Sequence, residues 1–214
     1  MSYLITSGQT TAATTASSKE FQHLLTLVEA AVEAGLSLVQ IREKSLTDRA
    51  LYELSEKAVA RTRGSATRLL LNDRADIAKA SAADGVHLTT RSMSAAVIRK
   101  TFGEEFLIGV STHSSLEVQA AQRGGADFAV FGPVFPTESK RIYGDALGTS
   151  ELKAAVVAVR PLPILALGGV TLSNAAECFH AGASGVAAIR LFAEADELKS
   201  VMNSLRKSFA EAQG

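Results

Sequence analysis

Gly132-Pro133-Val134-Phe135-Pro136-Thr137-Glu138-Ser139-Lys140 carries two hydroxyls and an ammonium within four residues, at Thr137, Ser139 and Lys140. It follows the apolar run Phe128-Ala129-Val130-Phe131, so it falls where a buried strand breaks into a loop. Such donors suit phosphoryl oxygens, although they would equally suit a solvated turn with a surface lysine. Gln40, Arg42 and Lys44 alternate, so an extended chain turns all three to one face. Two cations on an inward face need an anion there, or else pair with Glu43 and Asp48 on a rim. Asn72-Asp73 sets an amide beside a carboxylate, which suits Mg²⁺ completed by substrate phosphates, or the N-cap of a following helix.

Weaker signals lie further on. His87 sits in an apolar run, followed by Thr89 and Thr90, and reads as a hydrogen-bonded core residue rather than a catalyst. Ser111 and His113 alternate onto one face, but no third partner is visible to complete a triad. Ser114 or Ser115 suits a helix cap. Gly168-Gly169, with Ile189-Arg190 further on, could supply backbone donors to a phosphate, or serve plain turns.

These residues share a position: each set closes a short apolar run. The runs are Tyr3–Thr6, Leu38–Arg42, Leu69–Asn72, Gly85–Leu88, Leu107–Ser111, Phe128–Phe131, Ile164–Leu167 and Gly185–Ile189. Most are continuous rather than alternating, as in parallel strands covered on both faces. Amphipathic stretches separate them, for example Phe21, Leu24, Leu25, Val28 and Val32, or Leu198, Val201, Met202, Leu205 and Phe209. Eight strand–helix units of roughly 25–30 residues predict an α/β fold, a (β/α)8 TIM barrel formed as a single domain over residues 1–214. A doubly wound open sheet is the rival with the same local pattern. In a barrel, the C-terminal strand ends gather the polar residues at one mouth. The Thr/Ala/Ser-rich stretch from Ser7 to Ser18 reads as a mobile loop beside it.

Bulk properties narrow the function. The chain has 214 residues, 47% of them hydrophobic, enough for a sizeable core. Lys plus Arg equals Asp plus Glu at 22 each, so no basic field holds a nucleic acid. No window reaches the roughly 18 apolar residues of a membrane span, and the N-terminus lacks a signal peptide's basic region. The single cysteine, Cys178, excludes an internal disulfide and points to a reducing, cytoplasmic setting.

Taken together, Gln40-x-Arg42-x-Lys44, Asn72-Asp73-Arg74, Asp84-Gly85-Val86-His87-Leu88, Gly109-x-Ser111, Gly125-Ala126-Asp127-Phe128, the Gly132–Lys140 stretch and Ala166-Leu167-Gly168-Gly169-Val170 resemble the thiamine phosphate synthase and thiazole tautomerase family. The likeness is closer to the synthase, which joins hydroxymethylpyrimidine diphosphate to thiazole phosphate and releases diphosphate in thiamine biosynthesis. The resemblance implies that Arg42, Lys44, Asn72 and Lys140 hold diphosphate and that Asp73 binds Mg²⁺. It further implies that Gln40 and Ser111 position the pyrimidine, while Thr137, Ser139, Gly169, Ile189 and Arg190 serve the thiazole phosphate. Two positions depart from the synthase pattern. Ser92 replaces an aspartate that would be a second Mg²⁺ ligand, and Arg190 replaces a serine. Ser92 keeps a tautomerase or a non-catalytic binder of thiazole or pyrimidine phosphates as alternatives. Pro133 stands where the tautomerase has a catalytic histidine, so a tautomerase would recruit His113 or His87. The implied partners are the two phosphorylated substrates, and a homodimer stays open.

Overall fold

The continuous apolar runs become strands buried on both faces. The structure, a computed structural model, describes residues 1–137, 145–194 and 197–213. β1 (Ser2–Ile5), β2 (Leu38–Ile41), β4 (Gly85–Leu88), β6 (Phe128–Phe131) and β8 (Gly185–Ala188) are buried at every residue. β3 (Arg68–Asn72), β5 (Leu107–Thr112) and β7 (Ile164–Leu167) complete the set. Each strand pairs in parallel with the next, and β1 also pairs with β8, so the sheet closes in the order of the chain. That closure rules out the open doubly wound sheet.

Between the strands run α1 (Lys19–Glu33), α2 (Asp48–Thr62), α3 (Ala75–Ala80), α4 (Ala95–Phe102), α5 (Ser115–Arg123), α6 (Gly148–Ala158) and α7 (Ala175–His180). A short α8 (Arg190–Ala193) and a long α9 (Leu198–Gln213) follow β8. None of these helices is long and apolar enough to cross a membrane. Hydroxyl caps start several of them: Thr47 Oγ1 accepts from Ala50 N at 3.2 Å, and Ser114 Oγ from Glu117 N at 3.2 Å. α1 turns Phe21, Leu24, Leu25, Val28 and Ala31 onto the strands. Burying each large side chain of that face contributes about 1.5–3 kcal/mol.

Two cores result. The larger lies between strands and helices; the smaller fills the barrel with Tyr3, Ile5, Leu38, Leu70, Phe128, Val130, Leu165 and Ala187. Tyr3 and Phe128 meet edge to face at 5.5 Å between ring centroids. This apolar plug occupies the barrel centre, and the polar strand ends lie beyond it.

Candidate active site

Alternation along the strands sets the polar floor above the plug. Gln40 follows Leu38 by two residues, Asn72 follows Leu70, and His87 follows Gly85, so each shares the inward side of its strand. Gln40 is 1% exposed, and its Nε2 donates to Asn72 Oδ1 at 3.1 Å. His87, 2% exposed, pairs through Nε2 with Ser111 Oγ at 2.8 Å. The His87 ring leans on Tyr3, with centroids 5.6 Å apart. Burial, and secondly the charge of Arg42, push the His87 pKa down to about 3. The ring is therefore neutral at ordinary pH. It is a core histidine, as its apolar run suggests, yet it also orients Ser111. Its Nδ1 is buried without a partner among the described residues, so no acidic third group completes a triad.

Ser111 and His113, which alternate along the chain, take different partners. β5 runs through Thr112, and the exposed His113 hydrogen-bonds instead to the Gly132 carbonyl on the next strand end through Nδ1.

The cations stand on the rim. β2 ends at Ile41, so Arg42 and Lys44 lie just past the strand, Arg42 half-buried and Lys44 exposed on a turn. Neither pairs with Glu43 or Asp48. Glu43 accepts four hydrogen bonds from the β1–α1 connection, and Asp48 pairs with Arg74. Among the described residues, Arg42 and Lys44 make no salt bridge. A guanidinium nitrogen of Arg42 lies beside Gly8 of the β1–α1 connection, 3.5 Å from where a Cβ on that glycine would stand.

Asp73 is exposed at the end of β3 and holds φ 62 without being glycine. Such a left-handed conformation costs about 1–2 kcal/mol and often marks a functional position. Asp73 does not cap α3: the N-cap is Arg74, with no side-chain cap bond. Ser92 is engaged locally, accepting from Thr89 N at 2.8 Å and contacting Thr89 Oγ1 at 3.1 Å. The described residues hold no cluster of three or more His, Cys, Asp or Glu side chains. Asp73, the carboxylate at the β3 end, therefore fits Mg²⁺ only where phosphates and water supply most of the other ligands.

The β6 and β7 ends are built against each other. Val134 N donates to Leu167 O at 2.8 Å and Phe135 N to Gly168 O at 3.0 Å. A Cβ on Gly168 would stand 2.6 Å from Pro133 Cα, and one on Gly169 would stand 2.6 Å from Pro136 O. With φ of 96 and 63 as well, these two positions require glycine. Pro133, where a tautomerase would need its histidine, is thus packing for this corner. Thr137 is half-buried at the edge of the described loop; Ser139 and Lys140 lie outside the described residues. On the neighbouring strand end, half-buried Ile189 packs on the barrel plug and stands at the N-cap of α8, with Arg190 exposed in its first turn. A short extra helix after the eighth strand is a common phosphate-binding element of such barrels.

Two features of the mouth are not legible in the sequence. Glu43 reads as a rim partner for its neighbouring cations, whereas its acceptors serve a loop more than thirty residues upstream. The His87–Ser111 pair joins two strands and emerges only from their register, in which His87 lies opposite Gly109. The hydroxyl-rich loop is the available hint for Glu43, because its donors need an acceptor.

A closed barrel of eight parallel strands alternating with helices, with inward amides and a double-glycine corner at one mouth, is a (β/α)8 TIM barrel. The family model described as thiamine monophosphate synthase matches residues 3–192, and the chain belongs to that family. It is 38% identical over 181 residues to the thiamine-phosphate synthase of Chlorobium luteolum, covering 85% of each chain. To the thiamine-phosphate synthase of Moorella thermoacetica it is 37% identical over 190 residues, covering 89% of this chain and 90% of the relative. The thiamine phosphate pyrophosphorylase structure from Pyrococcus furiosus superposes with a TM-score of 0.82 at 29% identity, covering 100% of this chain and 96% of that one. A 3-hexulose-6-phosphate synthase structure, at TM-score 0.70 and 15% identity, shares the fold alone.

Proposed function

We propose that this barrel joins hydroxymethylpyrimidine diphosphate to thiazole phosphate, releasing diphosphate, as a transferase of thiamine biosynthesis. Family membership supports the reaction. The observation that carries the assignment of the site is Arg42, a half-buried guanidinium at the mouth with no salt bridge among the described residues. An anion completes it at lower cost than an unpaired buried charge.

In this reading Arg42, Lys44, Asn72 and Lys140 receive the diphosphate. Gln40 and Ser111 orient the pyrimidine from the floor, held by their bonds to Asn72 and His87. Thr137, Ser139, Gly169, Ile189 and Arg190 take the thiazole phosphate. The bond between the pyrimidine methylene carbon and the diphosphate oxygen breaks, and the thiazole nitrogen lone pair forms the new carbon–nitrogen bond. Negative charge develops on the departing oxygen, where Arg42, Lys44 and Lys140 stabilise it. Asp73 would hold Mg²⁺, which when bound supplies Lewis-acid stabilisation of the leaving group. The reaction asks for no protein base, which suits a neutral, buried His87. We also read the setting as cytoplasmic, because the single cysteine, Cys178, leaves the chain without an internal disulfide.

The test is purified protein with both substrates and Mg²⁺, followed by assay of thiamine phosphate and diphosphate. Turnover is expected, and Lys140→Ala should lose about 2–4 kcal/mol of transition-state stabilisation. An unchanged rate would remove Lys140 from the site. Tight ligand binding without turnover would make the protein a binder.

A further inference from the structure

Glu43 is 3% exposed, and every group that meets it is a donor. Oε1 accepts from Thr6 Oγ1 at 2.6 Å and Gly8 N at 3.0 Å; Oε2 accepts from Thr10 N at 3.2 Å and Thr10 Oγ1 at 2.8 Å. A buried carboxylate is costly unless its lone pairs are met, and here four donors meet them. These bonds hold the N-terminal part of the β1–α1 loop. A cleft of ≈ 250 Å³ lined by Ser7, Gln9, Thr10, Lys19 and His23, among others, runs alongside. The composition of this stretch suggests a mobile loop, but its donors find a common acceptor, so its base is pinned.

The same knot reaches Arg42. Thr6 Oγ1, while donating to Glu43, accepts from Arg42 N at 2.8 Å, and Thr6 N donates to Gln40 O at 3.0 Å. Gly8 passes so close that a Cβ there would lie 3.3 Å from Arg42 O and 3.5 Å from an Arg42 guanidinium nitrogen. The loop thus forms one wall of the place where the guanidinium sits.

We infer that Glu43 is a positioning residue: by tying the β1–α1 loop against Arg42 it presets the guanidinium for the diphosphate end of the pyrimidine substrate. This rests on the anion-binding role proposed for Arg42. An ordered arginine gives up less side-chain freedom when its ligand arrives, so the gain appears in binding. The acceptor-only demand is specific. A glutamine would turn an NH₂ toward at least one N–H or O–H that also donates.

The test uses the whole chain, with calorimetric titration of inorganic diphosphate plus Mg²⁺ and with KM for each substrate. Glu43→Gln should weaken diphosphate binding and raise KM for the pyrimidine diphosphate by about tenfold, with KM for thiazole phosphate within about twofold. Glu43→Asp, which keeps the acceptors, should recover part of the loss. Thr10→Val removes one donor from the loop side and should shift the same constants in the same direction, by less. A folded Glu43→Gln protein with wild-type diphosphate affinity, or with equal losses for both substrates, overturns the inference. If Glu43→Gln does not fold, unchanged constants in Thr10→Val overturn it. A wild-type protein that fails to bind inorganic diphosphate would instead overturn the reading of Arg42, and this inference with it.

Discussion

Replacing His87 by glutamine should flatten the acid side of the protein's stability curve. The ring is fully buried in the barrel and titrates at about 3 when folded, against 6.5 for an ordinary histidine. A folded pKa below the unfolded one means that unfolding takes up a proton. Stability is therefore complete above 6.5 and falls as pH drops from 6.5 toward 3. At about pH 5 the unfolded histidine is protonated by about thirty to one while the folded ring stays neutral, a loss of about 2 kcal/mol. Glutamine keeps a polar tip for Ser111 but does not titrate. It will destabilise through lost packing with Tyr3 and Phe128, and that loss is the same at both pH values. Urea unfolding of both proteins at about pH 8 and about pH 5 separates the two effects. The gap between the pH values should be smaller in His87→Gln by about 2 kcal/mol. Carboxylates that also titrate there contribute equally to both proteins and cancel. Equal gaps in the two proteins would refute the claim that burial holds this ring neutral.

Gly169→Ala forces a methyl group to within 2.6 Å of Pro136 O at φ 63. It should cost about 1–2 kcal/mol in urea unfolding and raise KM for thiazole phosphate more than for the pyrimidine substrate. An unaltered protein would mean that the corner gives way freely. Ser92→Asp keeps an acceptor for Thr89 N and adds a carboxylate on the β4 side of the mouth. The Mg²⁺ concentration for half-maximal rate should fall, and a stationary titration would place Ser92 away from the metal. Tyr3→Phe removes a buried hydroxyl that has no partner among the described residues. Stability should stay level or rise by about 1 kcal/mol, and a clear loss in thermal or urea unfolding would show that the hydroxyl is satisfied.

The strands were legible because parallel strands under helices must be apolar on both faces, and runs such as Phe128–Phe131 have no other use. Closure was not legible locally. It depends on β1 meeting β8, and Tyr3 facing Ala187 leaves no trace in the residues near either. The inward placement of Gln40, Asn72 and His87 follows from alternation and could be read directly. The partners of charged residues could not. Asp48 reaches across to Arg74, and Glu43 reaches back to Thr6 and Thr10, because a barrel brings consecutive strand ends together while sequence separates them by a whole helix.

The corner joining Gly132–Phe135 to Leu167–Gly169 also bears on how such an enzyme could be re-engineered. The backbone of one loop is the template for the other, and their contacts leave no room for a side chain at either glycine. A segment carrying new phosphate ligands could not be transplanted onto β6 by itself. Donor and acceptor halves would have to move together, as a two-piece cassette drawn from a single parent.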